Sequence, residues 1–208
     1  MQPAIGIDFD NTLVSYDDLI HRVAVERGLI HPVVTRSKKH IRDAIRELPD
    51  GEIEWQKVQA EVYGPRLAEA SPAEGAEEFL QTCARHDINV WIVSHKTEFA
   101  NYDESGISLR SAARSWLERG GFVGGPVPGL SLDNVYFEST RREKLERIEK
   151  LGCSHFIDDL EETFLEESFP ARVAKVLYAP HATEPVQPKV ALAGDWRRIS
   201  DYFFHDAN

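Results

Sequence analysis

The stretch Ile5-Gly6-Ile7-Asp8-Phe9-Asp10-Asn11-Thr12 decides how the rest of the chain is read. Its apolar part, Ala4 to Phe9, is short and unbroken, as expected of a strand covered on both faces. Strand side chains alternate, so Asp8 and Asp10 point the same way while Phe9 turns toward a helix. Two carboxylates side by side at the edge of a core repel each other and lose hydration. A bound cation is the simplest way to keep both. The ordinary structural reading is a polar turn after a strand, closed by Asx-type hydrogen bonds from Asp10 or Asn11.

Working outward, apolar runs and helical stripes alternate. Further strands are expected at Asn89–Val93, Asn134–Phe137, His155–Ile157 and Val173–Tyr178. Helices are expected at Pro72–His86, Leu109–Arg119, Arg142–Leu151 and Trp196–Phe204, with Gly152 as a stop signal after the third. Such alternation implies an α/β fold, a doubly wound and mostly parallel sheet with helices on both faces. One region breaks the rhythm. Between the first strand and Pro72 the patterns are helical only, at Asp17–Gly28, Val34–Leu48 and Gly51–Tyr63, with no strand. We therefore expect a core over residues 1–13 and 71–208, and a small helical lobe inserted over 14–70. The glycine- and proline-rich segment 120–129 reads as a loop.

Three more segments place chemistry at strand ends, where open parallel sheets put their sites. In Val93-Ser94-His95-Lys96 a hydroxyl is followed by backbone amides able to face an anion. Ser94 is a candidate donor to a phosphate oxygen, against the competing reading of a helix N-cap, and His95 and Lys96 either face the same cleft or form an exposed pair. In Glu138-Ser139-Thr140-Arg141-Arg142-Glu143-Lys144, Lys144 falls early in a helix, within reach of a phosphoryl oxygen or merely on a solvated face with local ion pairs. In Phe156-Ile157-Asp158-Asp159 a buried strand ends in paired acids, repeating the problem posed by Asp8 and Asp10; alternatively Asp159 caps a helix. Singly these signals are ordinary. Acid pair, hydroxyl, lysine and acid pair in that chain order are not.

The set resembles the four motifs of the haloacid dehalogenase (HAD) superfamily, from Ile5 to about Tyr178 apart from the helical insertion, whose position matches the cap of many members. The resemblance implies a magnesium-dependent phosphatase. Asp8 would be the nucleophile and Asp10 the general acid/base. Ser94 and Lys144 would bind phosphate, with Asn11, Thr12 and His95 as further contacts. Asp8, Asp10, Asp158 and Asp159 would hold Mg2+, Asp10 through its main-chain carbonyl, Asp159 directly and Asp158 through water. An ordinary Asp pKa of about 3.9 is low for proton transfer near neutrality, so the acid/base role calls for neighbouring acids. Members that cleave carbon–halogen bonds do not need an acid two residues after the nucleophile, so Asp10 favours a phosphatase or a phosphomutase.

Composition narrows the partners. The formal net charge of -11 argues against sequence-independent nucleic-acid binding, and no apolar run reaches the length of a membrane span. With 42% hydrophobic and 28% charged residues the chain reads as an ordinary globular protein. Its two cysteines, Cys83 and Cys153, lack metal-type spacing, and the N-terminus reads directly into a strand. A cytoplasmic location is expected. A cap suggests a small soluble phosphate ester, such as a sugar phosphate or nucleotide. Within the insertion, Arg36, Lys38, Lys39, Arg42 and Arg46 form a basic run, read either as attraction for an anion or as a solvated face. Competing functions are a catalytically silent phosphate-binding protein, a phosphomutase and, on the basic run alone, a nucleic-acid end phosphatase. A response-regulator receiver fits poorly, being shorter and without the insertion. The sequence is silent on oligomeric state.

Overall fold

The structure, a computed structural model, describes residues 3–103, 105–124, 130–180 and 189–204. A six-stranded sheet runs in the order β5-β4-β1-β6-β7-β8, every registered pair parallel. Its strands are β1 (Ala4–Ile7), β4 (Asn89–His95), β5 (Val135–Glu138), β6 (His155–Asp158), β7 (Ala174–Tyr178) and β8 (Leu192–Gly194). Connecting helices are α4 (Ala76–Arg85), α5 (Leu109–Arg119), α6 (Arg141–Lys150), α7 (Glu161–Leu165) and α8 (Trp196–Phe204). The expected doubly wound α/β architecture is thus present.

Between β1 and α4 come α1 (Asp17–Glu26), α2 (Lys38–Arg46) and α3 (Gly51–Tyr63). The expectation of helices alone fails at the base of this lobe. There β2 (Val14–Ser15) and β3 (Ser71–Pro72) pair antiparallel and form a two-stranded stem. Two residues per strand are too few to print an alternation, so periodicity cannot find them. β8 escaped for the same reason. α2 begins at Lys38 rather than Val34, because Ser37 is extended (φ -141, ψ 129) and Val33 lies 81% exposed. β4 runs two residues past Val93, to His95. In the expected loop over 120–129, residues 125–129 lie outside the described residues.

β1 sits at the centre of the sheet with β4 and β6 on either side. Ile7 registers with Ile92 of β4 and with Ile157 of β6, so the carboxyl ends of all three strands meet on one edge. Ile5, Ile7, Ile92, Phe156, Ile157 and Val176 have no exposed surface, the continuous burial that a doubly covered parallel sheet requires. The lobe joins the same apolar core through Ile20, Ile41, Ile45 and Val58. Cys83 and Cys153 are buried free thiols whose pKa burial pushes up to about 12. Among the described residues no helix is long and apolar enough to cross a membrane.

Gly6 is the tightest point of β1. A Cβ there would lie 2.6 Å from Phe156 Cδ2 and 3.1 Å from Cys153 Sγ. Phe156 is itself fully buried and has no room to retreat. Gly6→Ala is expected to destabilise the fold by about 1–3 kcal/mol through overpacking. Urea denaturation checks this: the midpoint should fall while the slope is unchanged.

Candidate active site

The site is assembled at the carboxyl edge of β1, β4 and β6. Asp8 leaves β1 still paired, its N–H donating to Ile157 O at 2.9 Å. The chain then reverses sharply: Phe9 O accepts from both Leu13 N and Val14 N at 3.1 Å. Asn11 supplies the left-handed residue of this turn (φ 57), a conformation Asn tolerates better than most. Phe9 anchors the turn, fully buried with its ring edge-on to Trp116 at 5.5 Å and Phe137 at 5.8 Å. Asp8 is thereby fixed on the opposite side of the backbone from the core.

Lys144 arrives from α6, whose first turn is closed by a capping box. Thr140 Oγ1 accepts from Glu143 N at 3.1 Å while Glu143 Oε2 accepts from Thr140 N at 3.0 Å. This start aims Lys144 inward, 3% exposed, with Nζ 2.6 Å from Asp8 Oδ1 and 2.7 Å from Asp158 Oδ2. Asp158 has no exposed surface, and its other oxygen accepts from Leu160 N at 2.9 Å. Carboxylate oxygens of Asp8, Asp158 and Asp159 all lie within 4.8 Å of one another. Three hard oxygen donors at this spacing suit a Mg2+-type cation rather than a soft metal.

One lysine does not balance three acids. Burial pushes the Asp8 carboxyl up to about 6, with Asp158 and Asp10 adding to the rise and Lys144 opposing it. Burial likewise holds Asp159 well above the usual carboxylate range, reinforced by Asp158 and Asp8. For Lys144 burial works against the charge, but Asp158 and Asp8 outweigh it and raise its pKa. The cluster is short of positive charge.

Ser94 lies at the same edge, 1% exposed. Asn11 borders the adjoining cleft. Two expected phosphate contacts are placed otherwise. Thr12 is fully buried; its hydroxyl donates over a long 3.4 Å to Asp159 Oδ1, and its carbonyl accepts from Trp196 Nε1 at 3.0 Å. It braces the loop instead of facing the cleft. His95 turns to the other side of β4, where Nε2 lies 3.1 Å from Ser139 O.

Two residues to which the sequence assigned no role at Asp10 surround it. Lys96 is 3% exposed, with Nζ 3.0 Å from Asp10 Oδ1 and 2.9 Å from Oδ2. Tyr16, 1% exposed, donates its hydroxyl to Asp10 Oδ1 at 2.5 Å. Asp10 is therefore met by a cation and a phenol, not by the wholly acidic surroundings that the acid/base role called for. The signal for Lys96 was available: a strand carried through His95 puts Ser94 and Lys96 on the same side by alternation. Tyr16 had no such signal. In the basic run, Arg36 pairs with Asp18, Arg42 with Asp43 and Arg46 with Glu52. Lys38 is the member that turns to the site, its Nζ 5.7 Å from the Tyr63 ring centre. Burial opposes its charge, but Tyr63, Asp159 and Asp10 outweigh burial and raise its pKa. A cleft of about 1080 Å³ opens beside these groups, bordered by Asn11, Tyr16, Lys38, Asp159, Tyr178 and Trp196.

A doubly wound α/β core with an acidic cluster, a buried lysine and a buried serine at the carboxyl edge of its central strands defines the class. The chain has the fold of the haloacid dehalogenase superfamily. No protein-family profile matches the sequence, and no curated protein sequence matches it. Solved structures do. A HAD family hydrolase from Deinococcus radiodurans R1, with bound phosphate and sodium, superposes with a TM-score of 0.59 at 14% identity, over 98% of this chain and 96% of that one. A putative phosphoglycolate phosphatase from Lactobacillus delbrueckii subsp. bulgaricus gives 0.59 at 12% identity, over 98% and 99%. The L-2-haloacid dehalogenase RSc1362 gives 0.54 at 14% identity, over 97% and 98%. At these identities the likeness is one of fold.

The raised carboxyls predict how a cation should act. A carboxyl with a raised folded pKa favours the fold when protonated, below its unfolded value of about 3.9, and that stability is lost as pH rises through about 6. A divalent cation binds the ionised carboxylates and should restore it. Mg2+ is expected to raise the melting temperature more at about pH 7.5 than at about pH 5. Equal shifts at both, measured by differential scanning fluorimetry, would count against a carboxylate cation site.

Proposed function

We propose that this chain is a magnesium-dependent phosphatase that hydrolyses a small phosphate monoester through an aspartyl-phosphate on Asp8. The observation that carries the reading is the approach of Asp8, Asp158 and Asp159 within 4.8 Å, with the Lys144 ammonium 2.6 Å from Asp8. A site of this kind solves the central difficulty of the reaction, which is that a carboxylate must attack an anion. Mg2+ bound by Asp8, Asp158, Asp159 and the Asp10 carbonyl would supply positive charge against both reactants.

The protein's own groups divide the remaining work. Asp8 attacks phosphorus as the bond to the leaving oxygen breaks, which replaces one slow displacement by two easier ones. Lys144 and the Ser94 hydroxyl face the charge that builds on the equatorial oxygens. Asp10 gives a proton to the leaving oxygen, then takes one from the water that opens the aspartyl-phosphate. Asn11, from its left-handed position, borders the entry to the same cleft.

Substrate size follows from the cleft and the lobe above it. About 1080 Å³ is at the upper end for small-molecule sites. Three of the five cations in the basic run are spent on neighbouring acids, which weakens the nucleic-acid reading and leaves Lys38 as the one turned to the substrate. The bound phosphate and sodium of the Deinococcus protein support a site for anion and cation together on this fold. The dehalogenase of similar fold keeps carbon–halogen cleavage in view, but it would leave Asp10 and its two donors without a task.

The test is hydrolysis of 4-nitrophenyl phosphate with Mg2+, with chelator, and by Asp8→Asn. Loss of activity on chelation and a fall of at least about 10³-fold in Asp8→Asn are expected. Turnover indifferent to both would sink the mechanism, and inactivity across a panel of phosphate esters would favour a silent binding protein.

A further inference from the structure

Asp10 is gripped from two sides, and the grip is more elaborate than a cation site requires. Lys96 brings one ammonium against both carboxylate oxygens, at 3.0 Å and 2.9 Å, and Tyr16 adds its hydroxyl to Oδ1 at 2.5 Å. Neither donor is on the surface. Burying an ammonium is costly unless it is paired and further supported. The chain supports this one thoroughly. Lys96 N donates to Glu138 O at 2.9 Å, and Lys96 O accepts from Arg110 Nε at 2.9 Å. Its Nζ also lies 5.4 Å from the Phe9 ring centre and 5.5 Å from that of Tyr63. The two donors come from different parts of the fold. Lys96 follows β4 in the core, whereas Tyr16 immediately precedes α1 and packs on Tyr63, at the end of α3, with ring centres 4.6 Å apart.

We propose that Lys96 and Tyr16 are positioning residues that aim the Asp10 carboxyl at the leaving oxygen of the substrate. The proposal rests on the phosphatase reading above and extends it. With Tyr16 and Lys96 both on Oδ1, rotation of the carboxyl is arrested and Oδ2, which meets Lys96 alone, is the oxygen with room for a further partner. Because one donor belongs to the core and the other to the lobe, Asp10 is aimed only when the lobe is seated on the core. The contacts of Lys144 with Asp8 and Asp158 involve neither donor, so nucleophile and acid are held by separate lysines.

The aim of an acid matters in proportion to how badly the leaving group needs a proton. The experiment therefore follows kcat/KM across 4-nitrophenyl, 4-chlorophenyl and phenyl phosphate, with Mg2+ present, for the wild type, Lys96→Met, Lys96→Arg and Tyr16→Phe. For Lys96→Met we expect phenyl phosphate to fall by about 10–100-fold and 4-nitrophenyl phosphate by less than about threefold. Tyr16→Phe, which keeps the ring, should steepen the same dependence to a smaller degree, and Lys96→Arg should restore part of it. A merely structural role would lower all three substrates alike. Parallel losses in Lys96→Met and Tyr16→Phe overturn the proposal while leaving the phosphatase reading intact. If Lys96→Met does not fold, as judged by its melting transition, an unchanged dependence in Tyr16→Phe overturns it alone. A wild type inactive on all three esters overturns the phosphatase reading instead.

Discussion

Repulsion among the carboxylates at the end of β1 is the constraint around which the rest of this molecule is organised. Asp8 and Asp158 are almost wholly buried, Asp159 is half-buried, and their oxygens approach within 4.8 Å. Isolated, such a group would force protons onto its members, and the raised pKa values of Asp8 and Asp159 express that tendency. Lys144 answers part of the charge through two short contacts, and the Leu160 amide answers part of what falls on Asp158. A structural protein would gain by replacing such a cluster with packed apolar side chains. Its retention at the centre of the sheet points to chemistry, since perturbed acids in a cleft are what a reactive site needs.

Topology makes the cluster possible. Because β1 lies between β4 and β6 in parallel register, residues distant in sequence arrive at one edge without long detours. Ser94 and Lys96 come from β4 and the residue after it, Lys144 from the helix that follows β5, and Asp158 and Asp159 from the end of β6. The sharp turn after Phe9 then returns the chain over the edge and begins the helical lobe. The same turn that follows Asp8 therefore also launches the part of the chain that brings Tyr16 to Asp10.

Much of this was legible in the sequence, and the failures have separate physical causes. Long periodic segments such as Leu109–Arg119, Gly51–Tyr63 and Trp196–Phe204 appear with the expected bounds, because burying a stripe needs many residues and leaves a clear pattern. The stem at Val14–Ser15 and Ser71–Pro72 and the edge strand Leu192–Gly194 left none, because two or three residues carry no period. At the site, the acidic pairs were legible since unbalanced charge at a strand end is conspicuous. Tyr16 was not, because a tyrosine beside a helix start looks like core until the fold brings its hydroxyl to Asp10. Thr12 misled for the opposite reason: its place beside two acids suggests a ligand contact, whereas its side chain is enclosed and its carbonyl is held by Trp196 from the far end of the chain.

On the proposed reading, charge also explains how so acidic a chain would suit an anionic substrate. The formal net charge of -11 is spread over the surface, where solvent and salt screen it. Inside the cleft the balance is different. Asp8, Asp10, Asp158 and Asp159 face Lys144, Lys96 and Lys38, three cations against four acids. One divalent cation would turn that small deficit into a small excess of positive charge, and a phosphate dianion would turn it back. Each step changes the local charge by two units about a value near zero, so neither the cation nor the ester meets a strongly opposing field. The order of events follows from the same count. On the proposed reading, the site without a cation would repel phosphate and with one would attract it, so binding of the metal would govern binding of the substrate.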